Sequence, residues 1–287
     1  MKNLIWLASY PKSGNTMLRL FLASYFFTDD GNLKDFKTLK HIVSLNKVEL
    51  LSGFKNHLDI VKRLKSNPSL ISEYWKVIQD NITAKEKNKI FFIKTHNANI
   101  TYKNNEFTNN QFTKCFVYIV RDPRSVLLSM ISHYNFNSFY EAKKNLMSDK
   151  AITTVNNNLL PEIILSWKSN YLSWKNFFQN NQNIGMIVKY EDMVLQSELI
   201  FFNILNFICE KNNLSINKKK FHNSLESINF NNLKRMENEN QFPESVRSNQ
   251  KFFRKGVVDE WQDKLPKNIV TEIENEYEDV LKELKYI

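Results

Sequence analysis

The chain has 287 residues, of which 42% are hydrophobic and 24% are charged, so it contains ample apolar material for a folded core. This composition excludes a disordered chain, and the length fits one large α/β domain, so we expect a single domain over residues 1–287. The formal net charge of +10 favours an anionic partner. Nucleic acid, an acidic membrane and a phosphorylated small molecule are all compatible with this charge.

Cysteine use and hydropathy indicate the compartment in which the protein works. Cys115 and Cys209 lie far apart, within or at the end of apolar runs, so we expect buried free thiols rather than a disulfide. No run is long enough to span a bilayer, and the first strand-like run starts at Leu4, which leaves no room for a signal peptide. We therefore expect a cytoplasmic protein without an integral membrane segment.

Short apolar runs alternate with segments of helical spacing along the chain. The runs that are typical of buried parallel strands are Leu4–Ser9, Ile90–Lys94, Cys115–Val120 and Ile184–Lys189. Helices are predicted at 18–26, at Val126–Ile131 and at Ile163–Phe178, and a terminal amphipathic helix that packs on the sheet is predicted at Lys267–Tyr286. This alternation predicts an α/β fold with a central parallel sheet flanked by helices.

The strongest motif, YPKSGNT at residues 10–16, lies where the first strand ends and an apolar helix begins. Backbone N–H groups at a helix start, the close approach allowed by Gly14, the hydroxyls of Ser13 and Thr16 and the charge of Lys12 favour phosphate binding. The spacing G-x-x-x-x-G-K-[ST] is absent, which disfavours an ordinary P-loop NTPase. The alternative is a strand–helix turn in which Ser13 caps the helix and Lys12 is solvated.

Two further basic clusters follow. RDPRS at residues 121–125 comes after the third strand and leads into a helix bearing Ser129, where Arg121 and Ser129 could share an anion. The same residues also suit an ordinary helix start, with the acidic residue and the proline in its first turn. The third cluster, Arg254-Lys255-Gly256, contains the last of five glycines and suits close approach to a phosphate, although a basic surface turn would have the same sequence.

The order and spacing of these three clusters resemble the sulfotransferase family that uses 3′-phosphoadenosine 5′-phosphosulfate (PAPS). Two more segments are similar to family motifs, namely Lys94-Thr95-His96 at the end of the second strand and Lys189-Tyr190-Glu191-Asp192 at the end of the fourth. Phe230 is similar to a family aromatic residue that packs on adenine. The resemblance spans residues 5–262, nearly the whole chain.

The resemblance implies a P-loop-like three-layer fold and transfer of a sulfuryl group from PAPS to a hydroxyl or amine by in-line displacement, leaving adenosine 3′,5′-bisphosphate (PAP). His96 would take the proton of the acceptor as general base, while Lys12 and Lys94 would stabilise charge on the leaving phosphate. Cysteine and histidine spacing indicates no metal site. The implied cofactor-binding residues are Lys12, Ser13, Gly14, Asn15, Thr16, Met17, Arg121, Ser129, Tyr190, Phe230, Arg254, Lys255 and Gly256.

The sequence departs from the family pattern at Met17, where the family usually has Trp, and at Asp259-Glu260-Trp261-Gln262, where it usually has Gly-Asp-Trp-Lys. Three alternatives stay open: another phosphate-binding enzyme such as a nucleotide kinase, a nucleic-acid-binding module, and a catalytically inactive protein that binds PAPS or PAP. We expect the partner to be a small-molecule or glycan acceptor rather than nucleic acid. Residues 31–88 and 132–160 are expected to supply the acceptor-binding loops.

Overall fold

A parallel sheet organises the chain, and a computed structural model describes it for residues 3–85, 90–134, 136–156, 158–244, 252–253 and 258–287. The described strands are β1 (Leu4–Ser9), β2 (Val43–Ser44), β3 (Phe91–Thr95), β4 (Thr101–Tyr102), β5 (Asn105–Glu106), β6 (Thr113–Val120) and β7 (Gly185–Lys189). Five of them form the sheet in the order β2-β3-β1-β6-β7, with every neighbouring pair parallel. The four predicted strands are confirmed, whereas the two-residue β2 was not predicted.

α-Helices cover the sheet and form most of the other regular structure among the described residues. Those described are α1 (Asn15–Phe27), α2 (His57–Ser66), α3 (Trp75–Lys85), α4 (Pro123–His133), α5 (Phe139–Leu146), α6 (Trp167–Asn180), α7 (Tyr190–Leu195), α8 (Ser197–Lys211), α9 (Lys218–Ser227), α10 (Phe230–Glu239), α11 (Trp261–Lys264), α12 (Lys267–Glu276) and α13 (Glu278–Glu283). α6 begins later than the predicted Ile163, because Ser166 accepts a hydrogen bond from the Ser169 N–H at 3.1 Å and so caps it.

The predicted terminal helix is divided at Tyr277 into α12 and α13. The Tyr277 ring is 2% exposed and lies 5.2 Å, centroid to centroid, from Trp167, and its hydroxyl donates to the Leu146 carbonyl at 3.0 Å. α12 packs against α4 and α5. The end of the chain therefore joins the helical layer that covers one face of the sheet, and a buried tyrosine marks the break between the two helices.

Two hydrophobic cores lie on opposite faces of the sheet, because successive side chains of a strand point to opposite sides. In β1, Leu4, Trp6 and Ala8 belong to one core, whereas Ile5 and Leu7 belong to the other. All five residues are fully buried. The uninterrupted apolar runs of the sequence thus correspond to strands covered on both faces, which confirms the predicted layered architecture.

Two predictions from composition and hydropathy also concern structure. Cys115 and Cys209 are both buried free thiols, which confirms that part of the sequence analysis. Among the helices that the structure describes, none combines the length and the hydrophobicity needed to cross a membrane.

The strand order brings the predicted motifs to one edge of the sheet. β3, β1, β6 and β7 are consecutive neighbours and run in the same direction, so their carboxyl ends lie side by side. These ends lead directly into His96, the 10–14 loop, Arg121 and Tyr190, respectively. Ligands of open parallel sheets bind at this edge, where loops rather than strands provide the contacts.

Arg124 joins the start of α4 to the C-terminal helices. Its guanidinium pairs with Asp122 at 2.7 Å, also pairs with Glu274, and donates to the Tyr286 carbonyl at 2.9 Å. It lies 3.8 Å from the centroid of the Trp261 ring, and the residue is only 3% exposed. The charge of the second arginine of the RDPRS sequence is therefore compensated by protein groups, and this residue has a structural role.

We expect Arg124→Ala to lower the free energy of unfolding by roughly 3–5 kcal/mol, because the substitution leaves the buried Asp122 carboxylate without its cation. Urea unfolding monitored by tryptophan fluorescence measures this loss. Lys168→Ala is the matched control, since its Asp279 partner is exposed and such pairs contribute about 1 kcal/mol or less. Equal losses in the two variants would contradict the structural role of Arg124.

Candidate active site

The loop between β1 and α1 has the backbone of an anion cradle. Gly14 is the N-cap of α1 with φ of 98°, and Lys12 is also left-handed with φ of 67°. Left-handed residues just before a helix turn backbone N–H groups toward one point, where an anion can accept their hydrogen bonds. No side chain caps α1, and the Ser13 hydroxyl has no hydrogen-bond partner within the described residues. The alternative in which Ser13 caps the helix is therefore wrong.

Asn15 and Tyr190 hold this loop in place. Asn15 Nδ2 donates to the Leu7 carbonyl at 2.9 Å and to Ser9 Oγ at 3.3 Å, which ties the start of α1 to β1. The ring of Tyr190, the first residue of α7, covers Gly14 so closely that a Cβ atom there would lie 2.3 Å from Cδ2. Only glycine fits this approach and this φ angle without strain. The Asn15 side chain therefore acts by fixing the cradle.

Arg121 connects the end of β6 to the same loop. Its Nη1 donates to the Lys12 carbonyl at 2.9 Å, and its guanidinium carbon lies 4.4 Å from the centroid of the Tyr190 ring. Trp167 Nε1 donates to the Arg121 carbonyl at 3.0 Å and steadies the backbone. The structure thus brings together three predicted cofactor-binding residues, Lys12, Arg121 and Tyr190, although they are distant in the sequence.

The remaining predicted cofactor-binding residues have different surroundings, and three of them lie outside the described residues. Met17 packs from α1 against the core of its face of the sheet, and Phe230 is partly exposed at the start of α10. Ser129 is partly exposed on α4, and within the described residues it forms no hydrogen bond with Arg121. Arg254, Lys255 and Gly256 lie outside the described residues.

The two phenylalanines that precede Arg254 are described, and Phe252 reaches the loop. Lys12 Nζ lies 4.9 Å from the centroid of the Phe252 ring. The backbone N–H groups of Phe252 and Phe253 donate to the two carboxylate oxygens of Glu237 at 2.6 and 3.1 Å. Glu237 is 4% exposed and lies on α10. These contacts place the chain just before the Arg-Lys-Gly sequence next to Lys12.

His96 follows β3, and its imidazole is oriented by β1. Nδ1 lies 2.8 Å from the Ser9 carbonyl oxygen, which can only accept, so Nδ1 carries the proton and Nε2 has the free lone pair. Burial lowers the pKa of His96 well below 6.5, and the charges of Lys94, Arg19 and Lys12 lower it further, whereas the hydrogen bond to Ser9 opposes these effects. The ring is therefore neutral at neutral pH, with Nε2 available as a base.

Glu162, in the segment before α6, lies next to the Lys94-Thr95-His96 sequence and is 3% exposed. Its Oε1 accepts a hydrogen bond from the His96 N–H at 2.7 Å and lies 3.5 Å from Thr95 Oγ1. Oε2 accepts from Asn46 Nδ2 at 2.9 Å and lies 3.7 Å from Lys94 Nζ. Burial lowers the pKa of Lys94, and the negative charge of Glu162 opposes that shift.

Arg19 forms a second ion pair beside the loop. Its guanidinium donates to the two carboxylate oxygens of Glu244 at 2.7 and 2.6 Å and to Thr16 Oγ1 at 3.1 Å. Burial acts to raise the pKa of Glu244, but Arg19 outweighs it and holds this pKa at about 2. The pair is therefore fully charged at neutral pH, and it occupies the two terminal nitrogens of Arg19.

Four charged residues of the site lie outside the sequence motifs, namely Glu162, Arg19, Glu237 and Glu244. Two of them carry a signal in the sequence, since Glu162 interrupts the apolar run LLPEIIL and Arg19 is the one charged residue within the sequence of α1. A charge in an apolar segment is informative, because it is buried only when it is paired. Glu237 and Glu244 lie in polar surroundings that offer no such signal.

Several buried polar atoms in and around the loop have no partner among the described protein groups. They include Ser13 Oγ, Asn15 Oδ1, Arg19 Nε and Arg121 Nε. A buried donor without a partner is costly, and such groups in native proteins are commonly satisfied by a ligand or water. The hydroxyl of Ser13 and the guanidinium of Arg121 fit a ligand with several acceptor oxygens, such as a phosphate.

The departure from the family pattern at Asp259 has a backbone explanation. Asp259 has φ of 68°, a left-handed conformation that favours glycine, and glycine is the usual family residue at this place. Asp is among the residues that tolerate this conformation best. Asp259 therefore fits the turn into α11, and Trp261 packs on Arg124 immediately after this turn.

Comparison with known proteins identifies a family and similar folds. Residues 2–285 match the family described as the sulfotransferase domain. Mouse sulfotransferase SULT7A1 complexed with PAP is 18% identical, with a TM-score of 0.59 and a match covering 98% of this chain and 84% of that chain. Retinol dehydratase in complex with androsterone and the inactive cofactor PAP is 17% identical, with a TM-score of 0.62 and coverage of 97% and 80%. A search of curated proteins finds no match.

A second structure of retinol dehydratase, in a complex with retinol and PAP, is 16% identical, with a TM-score of 0.62. Its match covers 98% of this chain and 82% of that chain. At these identities the similarity concerns the fold, and it confirms the predicted fold class.

We expect Gly14→Ala to abolish nucleotide binding and to destabilise the protein by at least about 1–2 kcal/mol, since the side chain must adopt a left-handed conformation and displace Tyr190. Thermal unfolding and calorimetry measure the two effects. Gly53→Ala is the control, because its Cβ atom would lie 3.8 Å from its nearest neighbour, Asn81 Nδ2. Unchanged nucleotide binding by Gly14→Ala would show that the cradle does not hold the ligand.

Proposed function

The chain belongs to the sulfotransferase domain family, and on this premise we propose that it transfers a sulfuryl group from PAPS to a hydroxyl or amine. We take residues 1–287 as one such domain. The observation that carries the proposal is the pair of buried donors, Ser13 Oγ within the left-handed loop and Arg121 Nε beside it, that lack a partner among the described residues. PAP is bound in structures of the similar proteins SULT7A1 and retinol dehydratase, which supports this choice of cofactor.

The residues of the sheet edge divide between the parts of the cofactor. We assign the 5′-phosphosulfate to the 10–16 loop, with Lys12, Ser13, Gly14 and Thr16 as direct contacts and Asn15 as the residue that fixes the loop. Arg121, Ser129 and Arg254-Lys255-Gly256 are assigned to the 3′-phosphate, a role for which guanidinium and hydroxyl donors are suited. Met17, Tyr190 and Phe230 are assigned to the adenine.

The chemistry of the chain's own residues follows from their positions. The bound cofactor supplies a sulfuryl group whose S–O bond to phosphate breaks while a bond forms between sulfur and the acceptor oxygen or nitrogen. His96 Nε2 takes the proton that the acceptor loses, because this nitrogen has a free lone pair and the ring is neutral. Lys12 and Lys94 stabilise the negative charge that the phosphate oxygen gains when that bond breaks.

The acceptor is assigned to the side of His96 formed by the loops predicted for it. Asn46 lies in the 31–88 segment and hydrogen-bonds Glu162, which in turn contacts the His96 backbone. The structures of retinol dehydratase contain androsterone or retinol, both small molecules. We therefore propose a small-molecule or glycan acceptor rather than a nucleic acid.

Calorimetric titration with PAP tests the cofactor assignment. PAP should bind, whereas AMP and ATP, which lack the 3′-phosphate, should bind much more weakly. Arg121→Ala should weaken PAP binding by about tenfold or more, the effect of removing a charge-assisted hydrogen bond. Arg63→Ala is the matched control, because Arg63 is exposed and pairs with Glu73 on the surface. Preference for ATP would favour a nucleotide kinase instead.

We expect His96→Ala to lower kcat by about 10²- to 10⁴-fold and to leave PAP affinity unchanged, since the imidazole handles the acceptor proton rather than the nucleotide. Because its pKa is lowered, His96 stays unprotonated as the pH falls, so the acid limb of the activity profile should lie well below 6.5. His222→Ala, at an exposed histidine, is the control. An acid limb at the ordinary histidine pKa, or full turnover by His96→Ala, would refute this role.

A further inference from the structure

The Glu162 carboxylate connects three separate segments of the chain at the reaction centre. It accepts hydrogen bonds from the His96 N–H at 2.7 Å and from Asn46 Nδ2 at 2.9 Å, and it lies 3.7 Å from the Lys94 ammonium. Thr95 Oγ1 lies 3.5 Å from Glu162 Oε1. These contacts join the loop after β2, the end of β3 and the segment before α6. This buried carboxylate contacts two of the three residues to which we assign catalytic roles, Lys94 through its ammonium and His96 through its backbone N–H.

The partners of Glu162 are all donors, which requires the ionised form. A carboxylate accepts at both oxygens, with about four lone-pair positions, and carries no proton of its own. A glutamine amide has one accepting oxygen, so its NH₂ group would face either the His96 N–H or the Asn46 amide and the Lys94 ammonium. The charge, as well as the shape, of Glu162 is therefore matched to its surroundings.

The Glu162 carboxylate favours the charged form of Lys94. The Lys94 side chain is only 12% exposed, and burial lowers its pKa. Among the described residues, the ionisable groups whose charges act on Lys94, or on which it acts, include Glu162, Arg19, Glu244 and His96. Glu244 is already bound through both oxygens by Arg19, and Glu162 is the carboxylate that lies within ion-pair distance of Lys94 among the described residues. Tyr134 also faces Glu162, and burial raises the pKa of Tyr134 to about 12, so it is neutral.

His96 is held from three sides, and Glu162 provides one of them. The backbone N–H of His96 donates to Glu162, its carbonyl accepts from Asn170 Nδ2 at 3.0 Å, and its ring is bound to the Ser9 carbonyl. The contact with Glu162 differs from the other two because the same carboxylate also pairs with Lys94. It therefore sets the position of the base relative to the cation that stabilises the leaving group.

We infer that Glu162 is a positioning residue for sulfuryl transfer, whose buried carboxylate keeps Lys94 cationic and fixes the backbone of His96 beside it. The inference rests on the proposed roles of Lys94 and His96 in the transfer from PAPS. Glu162 acts through these two residues, and it contributes no atom to the bonds that form or break.

The test is the pH profile of kcat for Glu162→Gln, with PAPS and an accepted hydroxyl or amine substrate at saturation. Removing the carboxylate removes the effect that raises the pKa of Lys94, so Lys94 loses its proton at lower pH. The alkaline limb should therefore move down by about one to three pH units. We expect kcat at the optimum to fall by about 10- to 100-fold, as when groups that orient metal ligands are removed.

Three variants separate positioning from general stability. Glu162→Asp keeps the charge on a shorter side chain, so it should largely restore the alkaline limb while kcat stays reduced. Lys94→Arg, whose guanidinium does not titrate in this range, should abolish the limb and so assign it to Lys94. Glu283→Gln is the matched control, because Glu283 pairs with Lys175 and Tyr171 away from the sheet edge and should leave the limb in place.

The outcomes decide between distinct explanations. If the wild-type enzyme is active and Glu162→Gln has the same kcat and the same alkaline limb as the wild type, the inference is overturned. Failure of both Glu162 variants to fold would also overturn it and assign the carboxylate to stability. If the wild-type protein binds PAP but transfers no sulfuryl group to any tested acceptor, the proposed function fails instead. This result is distinguishable from failure of the inference about Glu162, because it is obtained with the wild-type protein alone.

Discussion

The close contact between Gly14 and the Tyr190 ring is the constraint on which the site depends. It forces a glycine with φ of 98° at the start of α1, and it brings α7 against the loop after β1. The Arg121 guanidinium lies over the same ring and donates to the Lys12 carbonyl. One aromatic ring therefore fixes the distance between the two clusters that we assign to the two ends of the cofactor.

The cations near the sheet edge are distinguished by whether the protein supplies a carboxylate for them. Arg19 has Glu244, Lys94 has Glu162 and Arg124 has Asp122. Arg121 has no carboxylate partner within the described part of the chain, and its buried Nε lacks a hydrogen bond there. A buried cation is stable only when it is compensated, so a cation paired with protein supports the site, whereas Arg121 is suited to an anionic ligand. Two arginines three residues apart thus have different roles.

Much of the architecture could be predicted because it depends on local patterns. Continuous apolar runs identified four of the sheet strands, and the YPKSGNT motif was placed correctly between β1 and α1. β2 escaped prediction because it has two residues and is a strand only through its pairing with Ile93 and Lys94 of β3. The division of the terminal helix at Tyr277 was missed for a similar reason, since it coincides with the packing of that ring on Trp167.

The sequence by itself determined the order of the motifs and the chemical types of the residues at the strand ends, because strand length and spacing are properties of neighbouring residues. Parallel pairing then required those ends to share one edge. Only the tertiary structure decided which charges are paired, because Lys94 and Glu162, or Arg19 and Glu244, are distant in the chain and meet through folding. Burial of Lys94, Glu162 and Arg19 makes these pairings necessary, since an isolated charge is costly away from water, and burial exists only in the folded protein.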